Sequence, residues 1–296
     1  MFDHLTTEKR NEKTMNLDEM STEAFLTIMN EEDAKVSDLI RGNIPYITEA
    51  VNHIISSFRS GGRLIYLGAG TSGRLGLLDA VECPPTFGTD PRKVVGLIAG
   101  GNEAFVQAIE GAEDSEVLGK HDLQSIHLNR TDIVVGIAAS GRTPYVTGGL
   151  KYANDIGADT VAVSNNTGSM IGNIAQIKIE VDCGPEVLSG STRLKAGTAQ
   201  EMILNMLSTA SMVGIGKTYQ NLLVDLQPTN EKLKQRAKII VSEATNCDLS
   251  TAETYLETAD HETKVAIVML LNKLSYDEAI QRLQEAEGVI YKTFKP

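Results

Sequence analysis

The sequence predicts an α/β fold: a parallel sheet covered by helices, with helices before it and a small helical domain after it. Three observations carry this. Short apolar, β-favouring runs stand at residues 63–67, 94–98, 132–138, 160–163 and 177–181. Their apolar character is that of strands of the buried type. Helical patterns separate them, as crossovers between parallel strands require. Turns rich in Gly, Ser and Thr occupy three strand-to-helix crossings, at residues 68–73, 140–143 and 189–195. Sheets of this kind take ligands at the carboxyl ends of their strands.

In chain order, residues 1–15 are polar and read as loose. Residues 22–41 read as one helix, with Phe25, Leu26, Met29, Val36, Leu39 and Ile40 at its apolar positions. Ile44, Ile47, Val51, Ile54, Ile55 and Phe58 form the stripe of a second helix. Asn43 can cap it, Pro45 suits its first turn, and Gly61 and Gly62 end it. After the first strand, Leu75, Leu78 and Val81 recur at spacing three and predict a helix. That helix is expected to stop at Pro84 and Pro85, because proline has no N–H and pushes the preceding residue out of helical geometry. Further helices are expected at 103–110, from Pro144 to about Ile156, and after Lys195. From about Thr229 the pattern is helical without strands, and Ser250 with Glu253 and Ser275 with Glu278 fit capping boxes. The expected organisation is a helical segment over 1–53, the sheet domain over 54–228 and a helical domain over 229–296.

Composition narrows the function. The chain has 296 residues, of which 42% are hydrophobic, enough for a substantial core. Its 27 basic and 39 acidic residues give a net charge of −12, which argues against nucleic acid and against an anionic membrane surface as partners. An anionic small substrate stays open, since a local cradle can be positive on an acidic protein. Cys83, Cys183 and Cys247 are scattered without metal-ligand spacing and point to a reducing cytoplasm. The five histidines form no constellation, so neither a metal site nor a Ser-His triad is expected. No apolar run approaches the roughly 20 residues of a membrane span.

The three turns point to a phosphate. Gly68, Gly70 and Gly73 follow the first strand and open a helix, placing backbone N–H groups at a positive helix end. Thr71 and Ser72 add hydroxyls there, and Arg74 adds a cation. The glycines also match a dinucleotide fingerprint, but no acid ends the next strand to hold a ribose, so NAD is not expected. Ser140, Gly141 and Thr143 repeat the arrangement on another strand. Alone they read as readily as a helix cap. Ser191, Thr192, Arg193 and Lys195 add hydroxyls and two cations at a third crossing. Three such turns meeting at one sheet edge form a stronger signal than any one of them.

Glu82, Glu110, Glu113, Asp114 and Glu186 are the candidate acids. Glu82 stands out: it follows the first turn and precedes the Pro84–Pro85 stop. A carboxylate at such a helix end sits by the negative pole, which favours its protonated form. Glu113 falls in a loop expected near the same edge. Nothing near Cys83 would activate its thiol, and it reads as packing.

With these segments in view, the chain resembles the sugar isomerase (SIS) superfamily of phosphosugar-binding domains, and within it the etherases that act on N-acetylmuramic acid 6-phosphate. The resemblance rests on residues 68–76, 82–86, 96–101, 110–115, 138–144 and 184–200. The last run is shared with a non-catalytic relative, the glucokinase regulatory protein. The two acidic segments point to the etherases. The resemblance implies a flavodoxin-like sheet in a homodimer, with a tail similar to ubiquitin-associated helical domains. It implies removal of D-lactate from the muramyl sugar in cell-wall recycling, with Glu82 and Glu113 as the two catalytic acids and no cofactor or metal. The expected phosphosugar-binding residues are Gly70, Thr71, Ser72, Ser140, Gly141, Thr143, Glu186, Ser191, Thr192, Arg193 and Lys195. A sugar-phosphate sensor without chemistry and an aldose–ketose isomerase are the alternatives on the same scaffold.

Overall fold

The computed structural model describes residues 5–107, 109–226 and 231–294. Helices α1 (Thr22–Asp33), α2 (Val36–Arg41) and α3 (Ile44–Arg59) precede the first strand, β1 (Leu64–Gly68). Then follow α4 (Gly70–Phe87), β2 (Val94–Ile98), α5 (Glu103–Val106), α6 (Glu116–Ser125) and β3 (Ile133–Ala138). The sheet is completed through α7 (Pro144–Ile156), β4 (Asp159–Ser164), α8 (Met170–Ile174) and β5 (Ile177–Glu180), after which comes the long α9 (Lys195–Gly214). A short hairpin, β6 (Thr218–Tyr219) and β7 (Leu222–Leu223), precedes α10 (Glu231–Thr245), α11 (Leu249–Thr258), α12 (Thr263–Asn272) and α13 (Tyr276–Glu285). By its contacts the chain forms two units. One comprises Met1–Val81 and Arg92–Ser208, the other Glu82–Pro91 and Thr209–Pro296. The expected boundary at 228/229 lies outside the described residues.

In the first unit the strand order is β2-β1-β3-β4-β5, all parallel. This is the flavodoxin-like order. Every residue of β1 and β3 is buried, as two covered faces demand. Alternate side chains take opposite faces. Ile65, Leu67, Val134 and Ala162 pack with Leu123 of α6, Val146 and Leu150 of α7 and Ile171 of α8. Each such fully buried Leu, Ile or Val stabilises the fold by about 1.5–3 kcal/mol. The opposite face meets α3 and α4. At the edge, β5 alternates buried Ile177 and Ile179 with exposed Lys178, a charge that discourages pairing with another strand. Among the described residues no helix is long and apolar enough to cross a membrane.

Four local expectations are corrected. The pattern over 22–41 is two helices, because Lys35 N–H closes a tight bond on the Glu32 carbonyl at 3.4 Å. The amino end, where described, is ordered. Thr6 donates its hydroxyl to Asp182 at 2.7 Å and its backbone N–H to Asn166 at 2.8 Å. Thr14 donates to the Val187 carbonyl at 2.8 Å, so the polar residues there have buried partners instead of water. Next, α4 does not stop at the prolines but runs through Pro84 and Pro85 to Phe87. Each proline gives up the N–H bond to the carbonyl four residues earlier, but the residues after them still close the helix, and Gly88 N–H bonds the Pro84 carbonyl at 3.0 Å. The buried side of α4 carries Gly73, Gly76 and Ala80, while Leu78 and Val81 are exposed. Finally, Asp248 rather than Ser250 caps α11, accepting from Thr251 N–H at 2.8 Å, because the helix starts at Leu249 and Ser250 already lies within it.

The second unit has its own core, built from Val241, Ala252, Leu256, Val265, Ala266, Val268, Ala279 and Leu283, with Val224 from the segment before α10. Ser275 and Glu278 form the expected capping box on α13.

Candidate active site

The chain leaves β1 toward β2 on one side of the sheet and returns to β3 on the other. The crevice above the β1 and β3 ends is therefore a topological switch point, where open α/β sheets bind ligands. The first two Gly/Ser/Thr turns flank it. At the first, backbone meets backbone: a Cβ on Gly68 would lie 2.7 Å from Gly73 N, and one on Gly73 would lie 2.7 Å from the Gly68 carbonyl oxygen. Gly70 opens α4 at φ +53°, a conformation glycine adopts without a steric penalty. The first-turn amides of α4 have no intrahelical acceptor, and they stand at the end of β1.

The second turn leaves β3 through Ser140 and Gly141. Gly141 has φ +70°, and a Cβ there would lie 2.4 Å from Ser169 Cβ. Ser140 Oγ accepts from Arg142 N–H at 3.3 Å. Thr143 sits at the cap position of α7, but its side chain makes no capping bond. Its hydroxyl is thus not committed to the helix it precedes.

The third segment runs from Gly184 into α9. Glu186 is buried, and its carboxylate accepts from the backbone N–H groups of Lys195 at 3.2 Å and Ala196 at 2.9 Å. Burial raises its pKa, against the opposing pull of those two amides. Lys195 is buried as well, and its Nζ pairs with Glu32 of α1 at 2.7 Å. Burial alone would raise the Glu32 carboxyl, yet hydrogen bonds and charge from Lys195 and Lys35 hold it at about 2. Glu186 and Lys195 thus close the loop and start the helix. Ser191 and Thr192 are half-buried, and Arg193 is exposed.

A buried polar chain joins the three segments. Ser72 Oγ donates to Gln200 Oε1 at 2.8 Å, and Gln200 Nε2 donates to Asn165 Oδ1 at 3.0 Å. Asn165 backbone N–H reaches the Ala139 carbonyl at 3.0 Å. A Cβ on Gly197 would lie 3.5 Å from Thr71 Cγ2, so the start of α9 rests against the first turn. The hydroxyl of Ser72 is therefore spent inside the protein. What this turn presents is backbone N–H groups and Thr71. Sequence reading missed Gln200, Asn165 and Glu32. The polar run of Ser164, Asn165 and Asn166 at the end of β4 was the one available signal.

Beside the first turn lies a cavity of about 190 Å³, lined by Ala69, Gly70, Arg74, Ala99, Ala104, Ile109, Glu110, Gly111 and Glu113. The structure thus brings Glu113 together with Gly70. Glu110 accompanies it. Arg74 spends its guanidinium on the chain: Nε donates to the Phe105 carbonyl at 2.9 Å and Nη2 to that of Gln107 at 3.4 Å. Those bonds hold the 103–107 segment at the cavity. Glu82 is not among the lining residues. It is exposed, inside α4 rather than at a helix end, and belongs by its contacts to the second unit. The helix-pole argument for its proton therefore falls away.

Comparison with known proteins agrees with this picture. Residues 46–154 match the glucokinase regulatory protein N-terminal SIS domain, and residues 115–210 match the SIS domain. Among solved structures, a phosphoheptose isomerase from Francisella tularensis aligns with a TM-score of 0.50 at 16% identity, over 65% of this chain and 98% of that one. One from Neisseria gonorrhoeae aligns with a TM-score of 0.50 at 12% identity, over 64% and 98%. These likenesses concern the fold alone. Much nearer are curated bacterial proteins named N-acetylmuramic acid 6-phosphate etherase. That of an Exiguobacterium species is 59% identical over 98% of this chain and 99% of its own. That of Oceanobacillus iheyensis is 60% identical over 99% and 100%, and that of a Geobacillus species 58% over the full length of both. With identity of this order over nearly the whole length of both chains, the chain belongs to the N-acetylmuramic acid 6-phosphate etherase family of SIS-domain proteins.

Proposed function

We propose that this protein cleaves the D-lactyl ether of N-acetylmuramic acid 6-phosphate with water, yielding N-acetylglucosamine 6-phosphate and D-lactate, in bacterial cell-wall recycling. The observation that carries the reading is the end-to-end identity with curated etherases. The cavity beside the β1 turn, lined by Glu113 and Gly70, supports it.

The chemistry needs two carboxyl groups. An ether is a poor leaving group, so direct displacement by water is slow. In the ring-open sugar, C2–H lies beside an aldehyde and is acidic enough for a carboxylate to remove. Glu113 takes that proton. The C3–O bond breaks as Glu82, protonated, gives its proton to the departing lactate oxygen, leaving a C2–C3 double bond. Water then adds to C3, yielding its proton to Glu82, and Glu113 returns the proton to C2. Each acid ends as it began. The phosphate is held by the turns at Gly70, Thr71, Ser140, Gly141 and Thr143, which fixes the chain end remote from the reaction. Ser191, Thr192 and Arg193 complete the anion cradle. Ser72, Glu186 and Lys195 serve it by bracing the turns, consistent with their bonds inside the protein.

We further propose a homodimer. Leu78 and Val81 on α4, 46% and 61% exposed, are the apolar side chains a second copy would cover. The compartment is the cytoplasm, where phosphosugars and reduced cysteines belong.

Turnover in heavy-oxygen water tests the mechanism. The label should appear on C3 of the sugar and not in the lactate hydroxyl, because the bond cleaved is on the sugar side. Label in the lactate would overturn the elimination. A protein that binds the phosphosugar and releases no lactate would instead be a sensor.

A further inference from the structure

The second unit holds more than the carboxyl-terminal helices. It also takes in residues 82–91, the end of α4 and the turn after it. One contact within this unit is very close. Gly88, at φ +60°, presses on Asp225 so tightly that a Cβ on it would lie 2.0 Å from the Asp225 carbonyl oxygen. Gly88 N–H in turn closes the last turn of α4 on Pro84 at 3.0 Å.

Asp225 is itself fixed from several sides. Its neighbours Val224 and Leu226 belong to the apolar core of the helical unit. Its carboxylate is clamped between two lysines. Lys217, which follows α9, reaches one oxygen at 2.7 Å, and Lys264, on the first turn of α12, reaches the other at 2.6 Å. All three side chains are largely shielded from solvent. Val224 N–H bonds to the Lys217 carbonyl at 3.2 Å, closing the same corner. A doubly paired, shielded carboxylate holds its backbone far more firmly than a surface ion pair does.

We propose that Lys217, Asp225 and Lys264 are positioning residues for the reaction: through Asp225 against Gly88 they fix the end of α4, the part of that helix that carries Glu82. The helical tail thereby acquires a task in catalysis without supplying a reacting group. This rests on the reading of Glu82 as the proton-handling acid. It differs from that reading in what it claims of the tail.

The test uses the full-length protein and the variants Lys217→Met, Lys264→Met and their combination, with Lys264→Arg as the conservative control. Hydrogen–deuterium exchange over residues 82–91 is read alongside lactate-release kinetics. Exchange there should quicken, and kcat should fall about 10-fold or more, as misplacement of a reacting group by an ångström costs. KM should stay within about twofold, since the phosphate turns lie in the other unit. Lys264→Arg should restore both. If the double variant fails to fold, Gly88→Ala perturbs the same contact by one carbon and should give the same split between kcat and KM. Unchanged exchange over 82–91 in the folded double variant overturns the proposal. Faster exchange with an unchanged kcat keeps the anchor and overturns instead the assignment of Glu82.

Discussion

Glu82→Gln should abolish lactate release yet leave exchange of the C2 proton with deuterated solvent, because the amide cannot protonate the leaving oxygen while Glu113 still removes the C2 proton. Glu113→Gln should suppress exchange and release together. Deuterium incorporation and lactate yield, measured on both variants, separate the roles. Exchange lost in Glu82→Gln and kept in Glu113→Gln would interchange them. The sequence placed the Glu113 loop near the edge of the first turn, and Glu113 does line the cavity beside Gly70. The glycines of the first turn were legible because a strand period gives way there to a helix period. Gln200 was not. Its partner Ser72 lies 128 positions away, and a buried glutamine between two distant loops leaves no periodic trace. Lys195 read as a cation facing substrate, since it follows the hydroxyl run of Ser189, Ser191 and Thr192. Its partner Glu32 comes from α1, and only the tertiary packing of that helix reveals the pairing.

The pairing of α1 with α9 has a measurable energy. Lys195→Met strands the buried Glu32 carboxylate and should cost about 3–5 kcal/mol, nearer the lower figure because Lys35 remains beside it. Replacing Glu32 by Leu in the same protein should recover most of that loss, as measured by urea unfolding. The pH dependence has a definite sign. The Glu32 carboxyl is held at about 2, below the ordinary 4.5. Its contribution is present above pH 4.5 and is lost as the pH falls toward 2. Glu32→Gln should therefore flatten the stability profile between those values, and a profile of unchanged slope would remove the pair from the account. Of the elements themselves, the strands were readable as apolar runs, unbroken in β1 to β3 and alternating with charge at the edge strand β5. The end of α4 was not. The rule that helices stop before proline weighs the bonds a proline removes, and here the helix continues to Phe87 in spite of losing them. The row of Leu78 and Val81 likewise misled, since spacing alone does not say which side of a helix meets the sheet.

Deleting residues 231–294 would uncover Val224 together with Tyr219, Leu222 and Leu226, which pack on the core of the helical unit. The shortened protein should aggregate, as light scattering during expression and purification would show. A soluble truncation with native far-UV circular dichroism and full kcat would deny the tail any part in folding or catalysis. The helical character of the tail was legible from the disappearance of strand patterns. The membership of residues 82–91 in the second unit was not, because contacts such as the approach of Gly88 to Asp225 join positions more than a hundred residues apart. The amino-terminal segment carries a consequence in time rather than in space. Thr6, Asn11 and Thr14 find their partners at Asn166, Asp182, Pro185 and Val187, positions synthesised 160 to 176 residues later. At roughly 5–20 residues per second of elongation, the segment waits on the order of ten seconds or more for anything to bind. It is made long before its partners and is among the last stretches to be locked down, so a chain arrested before Val187 still carries it as a tether not yet fully docked.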